Sequence, residues 1–443
     1  MKLPPQPKGH PIIGHLMGFK NDPINFMMNS AAKHGDILLF KLLNKKIYFL
    51  NNPEYIRHVL HNNHKNYHKS PGYKPLRLLG GMGIFTSDGE QWLKQRKLYQ
   101  PAFSHKSIET YSHSVIKNTN DILDDWTLQM EKGESINMSR EMMKVTMAII
   151  SETLFSTKID YQSNLWDAVS YALGWINDRA LKNPFVLPAN WPTPKNKKFH
   201  AAAAELNALV YKIIEEKKAE NSNPNDLLSR FMNPGGDLEG LNAQELRDEV
   251  MTIFIAGHET SANVLMWTFY ELCRHPAIET KLFEEVTKLG DRELNYSDLY
   301  HLEYTAQVLN EVMRLYPPVW HMGRQNLGPD EIGGNEIPTG SHVRISPLVL
   351  HRHPDYWENP NNFDPERFSK ANMDHQKPFS FIPFGGGPRL CAGRNCAMME
   401  LVLILAKAVQ RFKIATNENY HVEMGPLMTL RPKDDILLKL ARR

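Results

Sequence analysis

Apolar positions in this chain recur mostly three and four residues apart, and runs of strict alternation are few and short. Helical stripes of this kind cover residues 23–34, 53–61, 88–100, 105–130, 137–156, 163–183, 197–220, 241–275, 277–289, 304–316 and 392–412. Local stop signals bound several of them. Asn242 with Glu245 three residues later opens the longest stripe and Pro276 closes it, Gly290 ends the next, and Pro317-Pro318 stops the one after. Strand patterns are confined to 37–42 and 46–50 around a turn at Asn44, to 342–346, and to 425–440. Residues 70–86 and 347–368 follow neither period, and the glycines and prolines of 333–340 read as turns. The pattern predicts a mainly α fold with a minor β region.

The stripe at 241–275 is about 50 Å long at 1.5 Å per residue, enough to cross the molecule. Its middle, Ala256-Gly257-His258-Glu259-Thr260-Ser261, breaks an apolar run with small and polar residues. A glycine there costs up to ~1 kcal/mol against alanine, and a threonine hydroxyl can bond back to a carbonyl one turn earlier. A second irregularity lies at 183–196. Pro184, Pro188, Pro192 and Pro194 alternate there with Phe185, Val186, Leu187 and Trp191, an apolar connection between two helices.

Composition narrows the function classes. With 42% hydrophobic and 23% charged residues the chain has ample core material, and its 443 residues alone would suggest two or three domains. A formal net charge of +3 is too small to make nucleic acid the main partner. Cys273, Cys391 and Cys396 form no Cys-x-x-Cys pair, so structural zinc is not indicated and a reducing compartment, the cytoplasm, is expected. No run approaches the roughly 20 apolar residues of a membrane span.

Chemistry concentrates at Phe384-Gly385-Gly386-Gly387-Pro388-Arg389-Leu390-Cys391-Ala392-Gly393. Three glycines and a proline must turn tightly, and the stripe beginning at 392 places Cys391 at a helix N-terminus, where a thiolate is favoured. A lone cysteine beside a Gly-Pro turn is more often a small buried hydrophobe. Here Phe-x-x-Gly-x-Arg-x-Cys-x-Gly fills each fixed position of a haem-binding signature and resembles the cytochrome P450 superfamily.

The resemblance extends along the chain through Trp92-x-x-x-Arg96, Ala256-Gly-x-Glu259-Thr260, Glu311-x-x-Arg314 and Pro365-Glu366-Arg367-Phe368. It implies one predominantly helical haem domain over 1–443, with haem b between the long helix and the cysteine helix. Cys391 would be the metal ligand, with Phe384 packed on the thiolate side, Gly393 close to the cofactor and Ala256 against its other face. Arg389, Trp92 and Arg96 would meet the propionates, and His321 sits where some relatives place a propionate-binding arginine. Glu311, Arg314 and Arg367 would form a structural triad. Glu259 and Thr260 would organise protons for dioxygen, making the protein a monooxygenase that hydroxylates or epoxidises a hydrophobic small molecule. Leu78, Leu79, Phe254, Val319 and Met428 are the pocket candidates.

Electrons would come from a separate ferredoxin or flavodoxin with its NAD(P)H reductase, attracted by Lys94, Lys97, Arg394, Lys407 and Arg411. The proline-rich opening resembles the segment after the anchor of microsomal members, yet a soluble bacterial-type member without an anchor or fused reductase is expected. Rival readings are a peroxide-using haem-thiolate enzyme, a non-catalytic haem protein that senses or carries gas, and an isomerase or dehydratase.

Overall fold

The structure is a computed structural model and describes residues 3–157, 165–179, 187–220, 226–235, 239–290, 292–415, 417 and 419–443. Among the described residues the longer helices are α1 (Pro23–His34), α2 (Gly89–Tyr99), α3 (His105–Glu131), α4 (Met138–Phe155), α5 (Leu165–Asn177), α6 (Pro194–Glu220), α7 (Ala243–Arg274), α8 (Pro276–Thr287), α9 (Glu303–Leu315) and α10 (Arg394–Arg411). None is long and apolar enough to cross a membrane. The apolar connection expected at 183–196 is described from Leu187 onward; Pro184, Phe185 and Val186 lie outside the described residues.

Helix ends fall where local chemistry puts them. Asp22 accepts the Asn25 N–H at 3.0 Å and Pro23 takes the first position of α1, where a missing N–H costs nothing. Asn242 and Glu245 form a reciprocal capping box on α7. Pro276 both ends α7 and starts α8. α7 is buried on nearly every side and carries Phe254, Trp267 and Phe269 into a core shared with α3, α4, α9 and α10. Burial of this kind contributes roughly 25 cal/mol per Å² of apolar surface.

The small sheet has five strands in the order β1 (Ile37–Leu42), β2 (Lys45–Leu50), β5 (His342–Ile345), β4 (Met322–Asn326) and β3 (Tyr67–Lys69), with only β2 and β5 parallel. Ile37 and Leu39 face one apolar cluster while Leu38 and Phe40 face another, so both faces are covered and the run shows no polar alternation. The turn between β1 and β2 is Leu43-Asn44, and it is Leu43 that adopts positive φ (56°). A two-stranded hairpin, β6 (Met424–Pro426) and β7 (Leu430–Pro432), reaches back to α7; the strand expected at 425–440 is thus divided into short pieces.

Three buried groups brace the loop under the cysteine segment. Arg314 is fully buried and uses all five N–H donors: two on Glu311 at 2.7 and 2.8 Å, and one each on the carbonyls of His351, Pro360 and Asn362. Glu311 also accepts the Asp364 N–H at 2.8 Å and lies 3.4 Å from Arg367. Burial pushes the Glu311 carboxyl up, and Arg314, the Asp364 N–H and Arg367 counter it. The ring of His351 accepts the Ile382 N–H at 2.9 Å, so the triad is linked to the chain two residues before Phe384.

Candidate functional site

The cysteine loop is a tight double turn. Gly385 N–H donates to the Ile382 carbonyl and Cys391 N–H to the Phe384 carbonyl, each at 3.0 Å, with Gly385 and Gly387 at φ 77° and 66°. Gly387 is confined further: a Cβ there would sit 1.8 Å from the carbonyl oxygen of Leu60. The chain at 58–62, expected to continue a regular helix, widens into a looser turn against this loop.

Cys391 does not begin the helix. α10 starts at Arg394 with Gly393 as its cap, after a turn at Ala392 and Gly393. The Cys391 side chain is exposed by area yet surrounded by protein atoms, so it opens onto an interior space rather than bulk water. Burial pushes its thiol up, partly offset by the Gly393 N–H, Arg96 and Arg394. The protein alone therefore favours the thiol.

Around this space the fold gathers cations. The Arg389 guanidinium lies 4.8 Å over the Trp92 ring and pairs with Asp88. Lys69 donates to the carbonyls of Ile84 and Ser87 at 2.7 Å each, while its N–H reaches Asp88 at 3.0 Å. Burial, then Arg389, pulls the Lys69 ammonium down to about 7. Arg324, 8% exposed, is on β4 opposite Lys69 and close to Arg389 and Asp88.

Nη1 of Arg389 and both ring nitrogens of His321 are buried without protein partners. Burial lowers His321 to about 3, leaving it neutral, with Arg344 as its charged neighbour. A cysteine beside a cationic, donor-rich wall fits a flat metal-bearing ligand with carboxylates on its edge. Sequence reasoning singled out His321 and missed Lys69, Asp88 and Arg324. Alternation along β4, which buries Met322, Arg324 and Asn326, is the signal that marks Arg324.

Ala256, Glu259 and Thr260 line a cavity of about 620 Å³ together with Leu79, Val319 and Met428, and His321 and Arg344 line it too. Phe254 faces away, into the core against His258, since two residues along a helix turn the side chain by about 200°. Leu78 points outward and is 48% exposed. Gly257 admits not a ligand but a neighbouring helix: a Cβ there would lie 2.2 Å from Cδ1 of Ile150 on α4. The irregular 70–86 segment lines the cavity too, and Asp248 and Glu249 of α7 hold it by accepting the N–H groups of Met82 and Ile84 at 2.8 and 3.1 Å.

Thr260 donates its hydroxyl to the Ala256 carbonyl at 2.8 Å. Glu259, 4% exposed, faces the β6–β7 hairpin rather than a solvent channel, and accepts the Thr429 hydroxyl at 2.7 Å. Burial raises the Glu259 carboxyl, with Thr429 and then Arg431 offsetting it.

A sequence profile described as Cytochrome P450 matches residues 4–440. The chain belongs to the cytochrome P450 family. It is 32% identical to cyclooctatin synthase of Streptomyces melanosporofaciens over 431 residues, spanning 96% of this chain and 92% of that one. Cyclooctat-9-en-7-ol 5-monooxygenase of the same organism is 31% identical, over 92% of this chain and 88% of its own. Pentalenene oxygenase of Streptomyces avermitilis is 28% identical across 99% and 97%. The crystal structure of the cytochrome P450DA heme domain superimposes with a TM-score of 0.91 at 27% identity, covering 100% of this chain and 98% of that one. This cytochrome P450 is accordingly a haem-thiolate monooxygenase that draws on a redox partner and a small-molecule substrate.

Two further features of this P450 bear on chemistry. Glu400 on α10 is buried, accepts Ser261 of α7 at 3.3 Å, and is pushed up by burial to about 8 from an ordinary 4.5. Between those values the unfolded chain ionises while the folded one keeps its proton, so Glu400 lowers stability by roughly 1.4 kcal/mol per pH unit. The penalty is absent below about 4.5 and complete above about 8. Glu400→Gln is expected to flatten the fall in thermal midpoint over that window, and parallel curves for the two proteins would refute it.

The basic residues of α2 and α10 expected to attract a redox partner are partly neutralised. Lys407 lies 3.5 Å from Glu293 and Arg411 2.6 Å from Asp124, which leaves Lys94, Lys97 and Arg394 without a carboxylate in salt-bridge range among the described residues.

Proposed function

We propose that this P450 inserts one atom of dioxygen into a C–H bond or double bond of a terpenoid-like, largely hydrocarbon substrate. The observation that carries the reading is one cavity bounded by apolar Leu79, Val319 and Met428 and reached by Glu259 and Thr260. Relatives named for cyclooctatin and pentalenene support the substrate class.

Haem b ligated by a cysteinate supplies the activation of dioxygen. Cys391 would be its ligand, with Phe384 and Gly393 beside the sulfur. Trp92, Arg96, Arg389, Lys69 and Arg324 would hold its propionates, His321 would add a neutral donor, and Ala256 would leave room for the ring. Thr260 positions a proton at the cavity wall and Glu259 replenishes it. The whole chain, 1–443, acts as one haem domain in the cytoplasm. Lys94, Lys97 and Arg394 receive an acidic ferredoxin or flavodoxin, which an NAD(P)H reductase recharges.

The test is reconstitution with haem, ferredoxin or flavodoxin, reductase and NAD(P)H under ¹⁸O₂. A terpenoid panel would first be screened by optical difference spectra of the haem. Product carrying one ¹⁸O atom is expected. Turnover with peroxide alone and none with reductase would replace the reading by the peroxide-using one. Failure to oxidise NAD(P)H with any partner and ligand would favour a non-catalytic haem protein.

A further inference from the structure

Two rows of side chains run along α7 at this level, each joining residues four apart. One holds Ala256 and Thr260, closed on itself by the hydroxyl–carbonyl bond. The other holds Glu259 and Asn263, and the gap between them is spanned from outside by a single residue of the β6–β7 hairpin. Thr429 donates to Glu259 Oε1 at 2.7 Å and accepts from Asn263 Nδ2 at 3.1 Å. The Nδ2 of Asn263 can only donate, so Thr429 accepts from it through one lone pair and keeps its own O–H for Glu259. All three side chains are buried, and Thr429 also lines the cavity.

Resting on the monooxygenase reading above, we propose that Thr429, oriented by Asn263, is a positioning residue that holds the Glu259 carboxyl as a hydrogen-bond acceptor beside the substrate cavity. The arrangement sets both where the carboxyl points and which protonation state it prefers. An O–H directed at Oε1 stabilises the carboxylate, opposing the burial that favours the neutral acid. Arg431, two residues further along the hairpin, adds positive charge in the same sense and ties the hairpin to α5 by donating to Ser170 Oγ at 2.9 Å. His258, the ionisable neighbour on α7, turns its ring to the Phe254 carbonyl and away from Glu259. No motif announces this residue: Thr429 is 170 positions from Glu259.

The test compares Thr429→Val, which keeps the shape and removes the hydroxyl, with Thr429→Ser, which keeps the hydroxyl. Thr429→Ala replaces the valine variant should that one fail to fold. The first readout is independent of turnover: the infrared C=O stretch of protonated Glu259, isolated by subtracting Glu259→Gln, followed against pH. It is expected to persist to higher pH in Thr429→Val and to return to wild-type behaviour in Thr429→Ser.

The second readout is product formation with the reconstituted partner. It is expected to fall about tenfold or more in Thr429→Val, as loss of one hydrogen bond to a charged group implies, with a larger solvent isotope effect, and to recover with serine. An infrared band that titrates as in wild type, or a loss that serine does not rescue, overturns the proposal. If every variant, wild type included, forms no product while the infrared shift is present, the monooxygenase reading fails and the positioning role stands.

Discussion

Arg314→Ala is expected to yield no stably folded protein under conditions where the parent is stable. The substitution removes five donated hydrogen bonds at once and leaves the Glu311 carboxylate in a fully buried site with only Arg367, at 3.4 Å, and the Asp364 N–H for compensation. Three carbonyls on the loop that supports the cysteine segment lose their donor in the same step. Removing one partner of a buried pair costs ~3–5 kcal/mol. Against the roughly 5–15 kcal/mol that separates typical native and unfolded states, that is a large share. Arg314→Lys is expected to fare little better, since three donors on one nitrogen cannot reach carbonyls on separate sides. Urea unfolding and the yield of soluble haem-loaded protein are the measurements. A variant within about 1 kcal/mol of the parent would show that the triad does not brace the fold.

The second large effect is on rate. Glu259→Gln keeps the shape and the hydrogen bond from Thr429 but cannot relay a proton, and product formation is expected to fall by about 10²–10⁴. Thr260→Val removes a hydroxyl bound only to the Ala256 carbonyl, so haem content and NAD(P)H oxidation should remain near those of the parent. Product formed per NAD(P)H should drop sharply, with hydrogen peroxide released in its place. The two substitutions therefore separate slow turnover from uncoupled turnover. Wild-type coupling in Thr260→Val together with wild-type rate in Glu259→Gln would remove both residues from proton delivery.

Local chemistry made much of the fold legible. The bounds of α7 follow from the Asn242–Glu245 box and Pro276, which need no information from elsewhere in the chain. Glu311 and Arg314 meet because they are three apart on one helix. What escaped the sequence depends on contacts between distant segments. The helix after Cys391 begins only at Arg394 because Ala392 and Gly393 still belong to a turn, which the apolar period starting at 392 does not register. Gly257 read only as a weak point in the longest stripe, and it is the close approach of Ile150 on α4 that accounts for it. The resemblance pointed to His321, whereas strand pairing brings Arg324 opposite Lys69 and close to Arg389. Phe254 and Leu78 were chosen for apolarity without regard to the angle at which each leaves its helix.

Everything proposed for this P450 depends on the metal ligand, and the decisive measurement is the absorption spectrum of the reduced protein under carbon monoxide. With Cys391 bound as thiolate, the Soret band lies at the red-shifted position that distinguishes thiolate from histidine ligation. That position should be lost in Cys391→Ala and unchanged in Cys396→Ala, whose partly buried sulfur lies in the first turn of α10. A parent protein without the red-shifted band, or a Cys391→Ala variant that retains it, would contradict the assignment.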